Sequence, residues 1–482
     1  MRIIVLALIT LGITACSFAP DYRRAEMTMP ESWATAEQGE VLERMWWKRF
    51  NDAVLNTLVD EALQHNQDIV AAVASVDQAR ARLGTARAEL FPLISGQADA
   101  SPVWVDNHQV QGSTAPYSAG FGASWEIDLW GKLRNASDSA RYQLLATEAA
   151  QEGVRLSVAA QTANGYFMLR SLDLQMSIAE QTLQTREEAL KIYTDRYEQG
   201  LISRLDFARA KTEVESARTA LYQTRVSRDA AESALLILLG RSPREIMGGA
   251  VRRGAELEAI PAPPVLPAGV PSDLLERRPD IRQAEYALMS ANADIGVARA
   301  AWFPSISLTG LLGIVSPELH TLMSNPLETW SYGGNASVPL LDFGRVSSGV
   351  DAAEARKREA LATYEKTVQT AFGDMRNALM NQQESVHIVT ALEAMVEQLR
   401  LAADLARARY DGGYSSYLDV LDAERSLFES ELNLASARGN RLTAIVNVCL
   451  ALGGGWKDSP EQVAERQEKM PEKASGEQNV SR

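Results

Sequence analysis

The stretch LGTARAELFPLIS (Leu83–Ser95) returns 212 residues later as IGVARAAWFPSIS (Ile295–Ser307), and eight of the thirteen positions are identical. A second pair agrees at six of eleven positions: RYEQGLISRLD (Arg196–Asp206) matches RYDGGYSSYLD (Arg409–Asp419) with an offset of 213. Chance does not hold one offset over so much of a chain. The sequence therefore predicts an internal duplication of about 200 residues.

Each copy has the same internal order of elements. A helical segment comes first, at about 52–90 and about 272–301, and a Phe-Pro pair ends it at 91–92 and 303–304, since proline cannot continue a helix. Alternating apolar and polar residues follow. Then comes a long proline-free stretch rich in helix-forming residues, which predicts one helix over about 132–199 in the first copy.

The alternating regions predict two β-strands in each copy. From 117 to 129 the odd positions carry Tyr, Ala, Phe, Ala, Trp, Ile and Leu, whereas the even positions carry Ser, Gly, Glu and Asp. Strands of about ten residues with one apolar and one polar side are typical of an outer-membrane barrel wall. A soluble sandwich with one buried face is the alternative. The strands are predicted at about 93–103, 117–129, 304–315 and 330–341.

Four strands per chain imply that more than one chain is needed to form a barrel. They cannot close a barrel alone, and open sheet edges do not occur in lipid, so the strands must come from several chains. Three copies would supply twelve strands, although counting alone leaves a tetramer open. The fold class is thus mainly α with a membrane β-barrel portion, built from long α-helical hairpins and four strands per chain.

The composition excludes several function classes. The net charge of −14 argues against nucleic acid as a partner, because binding to it needs a basic face. The two cysteines, Cys16 and Cys449, and the four histidines do not have metal-ligand spacing, so we expect no metal site, no disulfide framework and no catalytic residues. The chain is therefore not expected to be an enzyme.

The N-terminus MRIIVLALITLGITAC predicts export and lipidation. Its apolar stretch from Ile3 to Ile13 is too short to span a membrane and has signal-peptide length. The stretch 13–16 ends in small residues and Cys16, and it resembles a bacterial lipobox, in which the cysteine receives the lipid. Ser17 follows instead of aspartate, which favours the outer membrane. An ordinary signal peptide followed by a chance cysteine is the alternative.

These features divide the chain into six segments. They are a signal peptide (1–15), a lipidated N-terminal segment (16–50), a first structural repeat (51–245), a linker (246–271), a second structural repeat (272–456) and a polar C-terminal tail (457–482).

Further motifs run the length of the chain. They are CSFAPDYRR (Cys16–Arg24), Trp46-Trp47, LLERRPDIRQAE (Leu274–Glu285), ANADIGVARAAWFPSISLTG (Ala291–Gly310), SYLDVLDAERSLFESELNL (Ser416–Leu434) and ALGGGW (Ala451–Trp456). In these motifs the chain resembles the outer-membrane efflux protein family, the TolC-like channels. Within that family it is similar to the lipoprotein branch that includes OprM, CusC and NodT.

The resemblance implies a homotrimer that closes a twelve-stranded β-barrel in the outer membrane and a twelve-helix tunnel across the periplasm. Such a duct passively conducts small molecules such as drugs. Its partners would be a periplasmic adaptor protein, an inner-membrane transporter of the resistance-nodulation-division (RND) class and outer-membrane lipid. No cofactor is expected, and the one covalent addition would be a lipid on Cys16.

The two glycine breaks in the long helices predict the working end of the duct. Glycine in a tight helix–helix turn is expected in any case, and the resemblance adds a surface that receives the adaptor and a gate on the pore axis. The candidate docking residues are Gly200, Leu201, Ser203, Gly413 and Ser416. The candidate gate residues are Tyr410, Leu418, Asp419, Asp422 and Arg425. Without a gate, Asp422 and Arg425 would form an ordinary solvated pair on one helix face.

Two other functions stay open. The exit duct of a type I protein-secretion system has the same architecture, although the lipobox and the ALGGGW ending favour the pump branch. A non-conducting coiled-coil scaffold is the other candidate, but a scaffold has no need of strands with a lipid-facing side. The transported substrates cannot be read from a passive duct.

Overall fold

The computed structural model describes residues 17–24, 27–28, 30, 45–100, 117–263, 274–316 and 318–455. They form two compact units. The sheet unit consists of the described parts of Met1–Met27, Val73–Ala150 and Arg282–Thr367, and the helical unit of those of Thr28–Ala72, Gln151–Ile281 and Val368–Arg482. The predicted signal peptide, Cys16 and the predicted tail (457–482) lie outside the described residues.

Four antiparallel strands form one sheet in the sheet unit, in their order along the chain. They are β1 (Leu93–Ala100), β2 (Tyr117–Ile127), β3 (Ser305–Ser316) and β4 (Leu327–Ser337). β2 ends two residues before its predicted limit because the carboxylate of Asp128 accepts the N–H groups of Leu133 and Arg134 at the start of the next helix. β4 ends before Pro339, which has no N–H to continue a ladder.

The register of the sheet places the apolar residues of neighbouring strands on the same face. Phe121 lies opposite Leu312, and Leu312 lies opposite Trp330. Directly opposed residues point to the same side of a sheet. These three side chains are 67%, 65% and 69% exposed. The other face carries mainly polar and small residues, as where Ser124 lies opposite Thr309.

The three longest helices of each repeat have equal lengths. The first repeat contains α1 (Ala53–His65), α2 (Gln67–Ala88), α3 (Lys132–Glu198), α4 (Arg204–Leu238) and the short α5 (Pro243–Gly248). The second contains α6 (Leu274–Arg277), α7 (Pro279–Ala300), α8 (Arg345–Asp411) and α9 (Tyr417–Ala451). α3 and α8 have 67 residues each, and α4 and α9 have 35 each. Of the helices in the described residues, none combines the length and the apolar character needed to cross a membrane.

The helical segment predicted over about 52–90 is divided at Asn66. The side-chain oxygen of Asn66 accepts the N–H groups of Asp68 and Ile69, and its amide donates to the carbonyl oxygen of Leu238 at 2.9 Å. Asn66 therefore caps α2 and ties it to the end of α4. In the second repeat Arg278 occupies the equivalent position and donates to the carbonyl oxygen of Ala451 at the end of α9.

A glycine completes this joint in each repeat. Gly240 has φ +70°, and an added Cβ would lie 2.1 Å from the carbonyl oxygen of His65. Gly453, 213 residues later, has φ +82°, and its Cβ would lie 2.9 Å from the carbonyl oxygen of Arg277. Only glycine accepts this left-handed backbone together with so close an approach.

We predict that Gly240→Ala lowers the free energy of unfolding by more than about 2 kcal/mol. The left-handed conformation costs about 1–2 kcal/mol for alanine, and the close approach to His65 adds to it. The matched control is Gly84→Ala in α2, where an added Cβ meets nothing within 4 Å and stability should rise by about 0.5–1 kcal/mol. Thermal unfolding in detergent, followed by circular dichroism, measures both. Equal changes in the free energy of unfolding for the two variants would show that Gly240 is not required where α4 meets the end of α1.

Candidate functional site

The turn between α3 and α4 ends the first long helix with a glycine. Gly200 has φ +73°, and its N–H donates to the carbonyl oxygen of Tyr197 at 2.9 Å. The N–H of Leu201 donates to the carbonyl oxygen of Arg196 at 2.8 Å. This pair of bonds is a Schellman cap, which satisfies carbonyl groups at the helix end. The side chain of Leu201 is left 69% exposed.

The turn between α8 and α9 has the same backbone. Gly413 has φ +76° and donates to the carbonyl oxygen of Tyr410 at 2.9 Å, while Tyr414 donates to that of Arg409 at 2.8 Å. Tyr414 is 81% exposed and takes the place of Leu201. The two turns are therefore alike in backbone and different in the side chains that they present.

Serine and aspartate cap the two return helices. The hydroxyl of Ser203 accepts the N–H of Asp206 at 3.1 Å. In the second turn Ser416 and Asp419 form a capping box, in which the Asp419 carboxylate accepts the N–H of Ser416 at 3.2 Å. Asp419, a candidate gate residue, is thus held at the start of its own helix. The docking role of Gly200, Leu201, Ser203, Gly413 and Ser416 stays a prediction.

Three tyrosines pack together below the second turn. The ring centroid of Tyr410 lies 5.5 Å from that of Tyr417 and 6.3 Å from that of Tyr193. Burial, together with Tyr410 and the carboxylate of Glu424, raises the pKa of Tyr193 to about 12. Tyr410, another candidate gate residue, therefore packs between α3 and α9 within one chain.

An ionic cluster joins three helices close to the tyrosines. Glu213 of α4 is buried and lies 3.1 Å from Arg186 of α3 through Oε2 and Nη1. Its Oε1 accepts from Nε of Arg425 on α9 at 2.8 Å. Burial lowers the pKa of the Arg186 guanidinium, and Glu213 opposes that shift. The hydrogen bond to Glu213 raises the pKa of Arg425.

The candidate gate residues thus fall into two groups. Tyr410, Asp419 and Arg425 are bound within the chain, whereas Leu418 is 40% exposed and Asp422 is exposed on α9. In this chain Arg425 binds Glu213, a residue that the sequence analysis missed together with Arg186. The duplication offered one signal, because the first-copy counterpart of Arg425 is the direct neighbour of Glu213 in the sequence.

Residues 17–24 form a strap that follows α7. The ring of Phe18 stacks on Phe303, two residues before β3, with centroids 4.5 Å apart. Further along, Arg24 makes two hydrogen bonds to Glu285, at 2.7 and 2.8 Å. Burial and Glu285 raise the pKa of Tyr22. The strap therefore brings Ser17, the residue next to Cys16, close to the end of the sheet at which β2 ends and β3 begins. This end is called the foot of the sheet.

Other reactive groups are few. Among the described residues, no group of three or more His, Cys, Asp and Glu side chains is arranged to hold a metal ion. Cys449 is 2% exposed in the core of the helical unit, and burial raises the pKa of its thiol.

Comparisons with known proteins match this architecture. The model of the family described as outer membrane efflux protein matches residues 58–241 and 270–454, one match in each repeat. The chain belongs to the outer membrane efflux protein family. The family and fold class predicted from the sequence are thereby confirmed, and the protein is an outer-membrane efflux channel component.

Individual members of the outer membrane efflux protein family are similar over almost their whole length. The cation efflux system protein CusC of Escherichia coli (strain K12) is 34% identical over 456 residues, covering 93% of this chain and 98% of CusC. The solvent efflux pump outer membrane protein SrpC of Pseudomonas putida is 35% identical over 469 residues, covering 94% and 98%.

Solved structures of efflux channels share the fold. The CmeC outer membrane channel of Campylobacter jejuni has a TM-score of 0.86 at 28% identity, covering 94% of this chain and 98% of CmeC. The open state of the MtrE outer membrane channel of Neisseria gonorrhoeae has a TM-score of 0.79 at 32% identity, covering 92% and 99%.

The ionic cluster yields a prediction on stability. Glu213→Gln removes the carboxylate that neutralises the buried Arg186 and should lower the free energy of unfolding by about 3–5 kcal/mol, since an unpaired buried charge remains. The control is Glu215→Gln on the same helix, whose side chain is 66% exposed and paired with Arg218. That change should cost at most about 1 kcal/mol.

Chemical denaturation measures both variants, and hydrogen exchange of α3 and α4 locates the effect. If the backbone amides of α3 and α4 around Arg186 and Glu213 exchange no faster in Glu213→Gln than in Glu215→Gln, Glu213 does not hold the three helices together.

Proposed function

We propose that this chain is the exit duct of a tripartite efflux pump: a homotrimer, lipid-anchored in the outer membrane, that passively conducts small molecules to the exterior. A periplasmic adaptor and an inner-membrane transporter of the RND class would be its partners. Membership of the family supports the channel. The names of the relatives, which refer to efflux of cations and solvents, support small molecules as cargo.

The exposed apolar face of the sheet carries the proposal. Phe121, Leu312 and Trp330 form a row across three strands, and each exposes about two thirds of its surface. A row of large apolar side chains in water is unfavourable, because about 25 cal/mol is lost for each Å² of apolar surface that is not buried. A lipid environment removes this cost. The opposite face is mainly polar or small and suits a water-filled lumen.

The edges of the sheet support a ring of several chains. In the described residues β1 and β4 each pair with a strand on one side only. Unpaired backbone groups are costly in lipid, so the edges must meet other strands. Three copies give twelve strands, which is an ordinary size for an outer-membrane barrel.

The strap supports lipidation of Cys16. Phe18 is fixed on Phe303 at the foot of the sheet. An acyl chain on Cys16 would therefore begin next to the membrane-facing strands. Two anchors, the strands and the lipid, would then act at the same level of the protein.

We predict that Cys16→Ser abolishes incorporation of labelled palmitate. Cys449→Ser is the matched control and should label normally, because the Cys449 thiol is buried in the core. Autoradiography of the purified protein measures the label. Unchanged labelling of the Cys16 variant would show that the lipid is not attached to Cys16.

Conductance tests the channel itself. The purified protein should form discrete ion-conducting channels in planar bilayers. A protein that inserts without conducting would favour the non-conducting scaffold. Transport of a polypeptide would favour the secretion duct, whereas efflux of dyes or drugs by cells that carry the complete pump supports the proposal.

The gate residues should control this conductance. We predict that Arg425→Ala combined with Tyr410→Phe raises the single-channel conductance, because it removes the bond from α9 to Glu213 and a hydroxyl from the tyrosine cluster. Leu418→Ala should also raise it by widening an apolar constriction. Asp422→Ala should reduce the preference for cations, measured as the reversal potential in a salt gradient.

The control for these variants is Asp229→Ala. Asp229 is an exposed carboxylate on α4 that pairs with the adjacent Arg228 at 2.7 Å. Its removal should change neither conductance nor selectivity. If all the gate variants conduct like the wild type, these residues do not gate the channel, and the contacts of Tyr410 and Arg425 serve only to pack the helices.

A further inference from the structure

We infer that β4 of one copy pairs antiparallel with β1 of a second copy in a fixed register, with Ser337 opposite Gln97. In the same contact, Phe343 of the first copy packs on Phe91 of the second. This inference rests on the ring assembly of the proposed function and adds to it the residues that meet between chains.

The two hairpins of the sheet are structural copies of each other. In the first hairpin Leu93 lies opposite Ser124. In the second hairpin Ser305 lies opposite Ser337. The offsets are 212 residues in the first strand and 213 in the second, which are the offsets of the two sequence matches. The strands of the duplication therefore superpose residue by residue.

The contact between β2 and β3 is the template for a contact between chains. It joins the last strand of the first hairpin to the first strand of the second hairpin, and it places Ser124 opposite Thr309. A contact between β4 and the next copy's β1 joins the same two kinds of strand. Carried over by the same offsets, the register places Ser337 opposite Gln97.

The side chains agree with this register. On the apolar face it brings Ala336 opposite Ala98, as β2 and β3 bring Ala123 opposite Gly310. On the polar face Ser337 meets Gln97. A slip of one residue would put polar side chains opposite apolar ones along the whole edge, because successive residues point to opposite faces.

The aromatic residues at the foot of the sheet point to the same neighbour. Trp130, just after β2, stacks on Phe303, just before β3, with ring centroids 4.9 Å apart. Their counterparts at the free edges are Phe343 and Phe91. In the single chain Phe343 is 92% exposed and Phe91 is 69% exposed. A second copy would cover both rings as Trp130 and Phe303 cover each other.

The backbone of Phe343 adds an independent argument. Its φ is +54°, which is uncommon for a residue other than glycine. The conformation turns the ring outward next to Leu340 and Leu341, which are 92% and 77% exposed. A strained residue that displays an aromatic ring beside two exposed leucines needs a partner surface to make it favourable.

A second copy of this chain fits better than another protein. Both halves of the contact are present on one chain, one at each free edge of the sheet. Such a head-to-tail contact between identical chains closes a ring when the rotation permits it. A different partner would have to imitate strands of this same duplication.

Cysteine crosslinking tests the register in the full-length protein in outer membranes. Three double variants are compared. Each carries Ser337→Cys together with Gln97→Cys, Ser95→Cys or Asp99→Cys, and Ser95 and Asp99 lie two residues to either side of Gln97. Directly opposed residues have Cα atoms about 4.5–5.5 Å apart, whereas diagonal neighbours are about 7–8 Å apart. Disulfides need less than about 7 Å. The Gln97 pair should therefore give most of the crosslinked product after mild oxidation.

Several controls accompany this experiment. The double variant with Ser124→Cys and Thr309→Cys places two cysteines opposite each other within one chain. Its oxidation should consume free thiols without forming a crosslinked dimer. Each variant with only one introduced cysteine reports random collision and any crosslinking through Cys16 or Cys449. Native mass spectrometry of the same samples counts the chains in the assembly.

The aromatic contact has its own measurement. Phe343→Ala and Phe91→Ala should each lower the temperature at which the assembly dissociates, and the double variant should be no worse than the stronger single one. Met323→Ala removes an apolar side chain that is 84% exposed in the β3–β4 connection and should have no effect.

The outcomes separate the two levels of the proposal. An oligomer that crosslinks preferentially at Ser95 or Asp99, or at none of the three positions, overturns the register while the ring stands. Additive effects of Phe343→Ala and Phe91→Ala overturn the aromatic contact. A protein that stays monomeric and conducts ions overturns the ring itself.

Discussion

A strand at the edge of a sheet exposes a row of N–H and C=O groups, and the interior of a membrane offers no water to bind them. This constraint governs the molecule, because the apolar face of the sheet needs lipid while its two edges cannot tolerate lipid. The need for lipid follows from the exposed side chains of Phe121, Leu312 and Trp330. A sheet of four strands meets both requirements only as part of a closed ring, so the membrane location and the proposed oligomerisation would have one physical origin.

The repeated architecture could be read from the sequence because it depends on local patterns. The alternation around Phe121 has a period of two, and the absence of proline in the long stretches allows an uninterrupted helix. The turns at Gly200 and Gly413 are local as well, since glycine is needed where φ is positive. For these elements the structure adds the register and the bounds.

Other features depend on contacts between distant parts of the chain, and the sequence could not predict them. Asn66 divides the first helical segment because its amide reaches Leu238, 172 residues away. The ionic cluster joins Arg186, Glu213 and Arg425 from three helices, and no local pattern indicates that they meet. The duplication gives one signal, because Thr212, the neighbour of Glu213, is the counterpart of Arg425. The candidate gate shows both cases, because the capping by Asp419 is local whereas the bond of Arg425 to Glu213 is not.

The two repeats are alike in backbone but have diverged in side chains, and this affects symmetry. In the proposed ring of three chains the hairpins would form six nearly equivalent positions. Arg425 corresponds to Thr212 in the first repeat, so the cluster around Glu213 would occur three times instead of six. A chain with one repeat would need six separate subunits for the same ring and would lose the motional freedom of six bodies on assembly. With the repeats fused, only three bodies would have to assemble, which lowers that entropic cost and frees alternate hairpins to specialise.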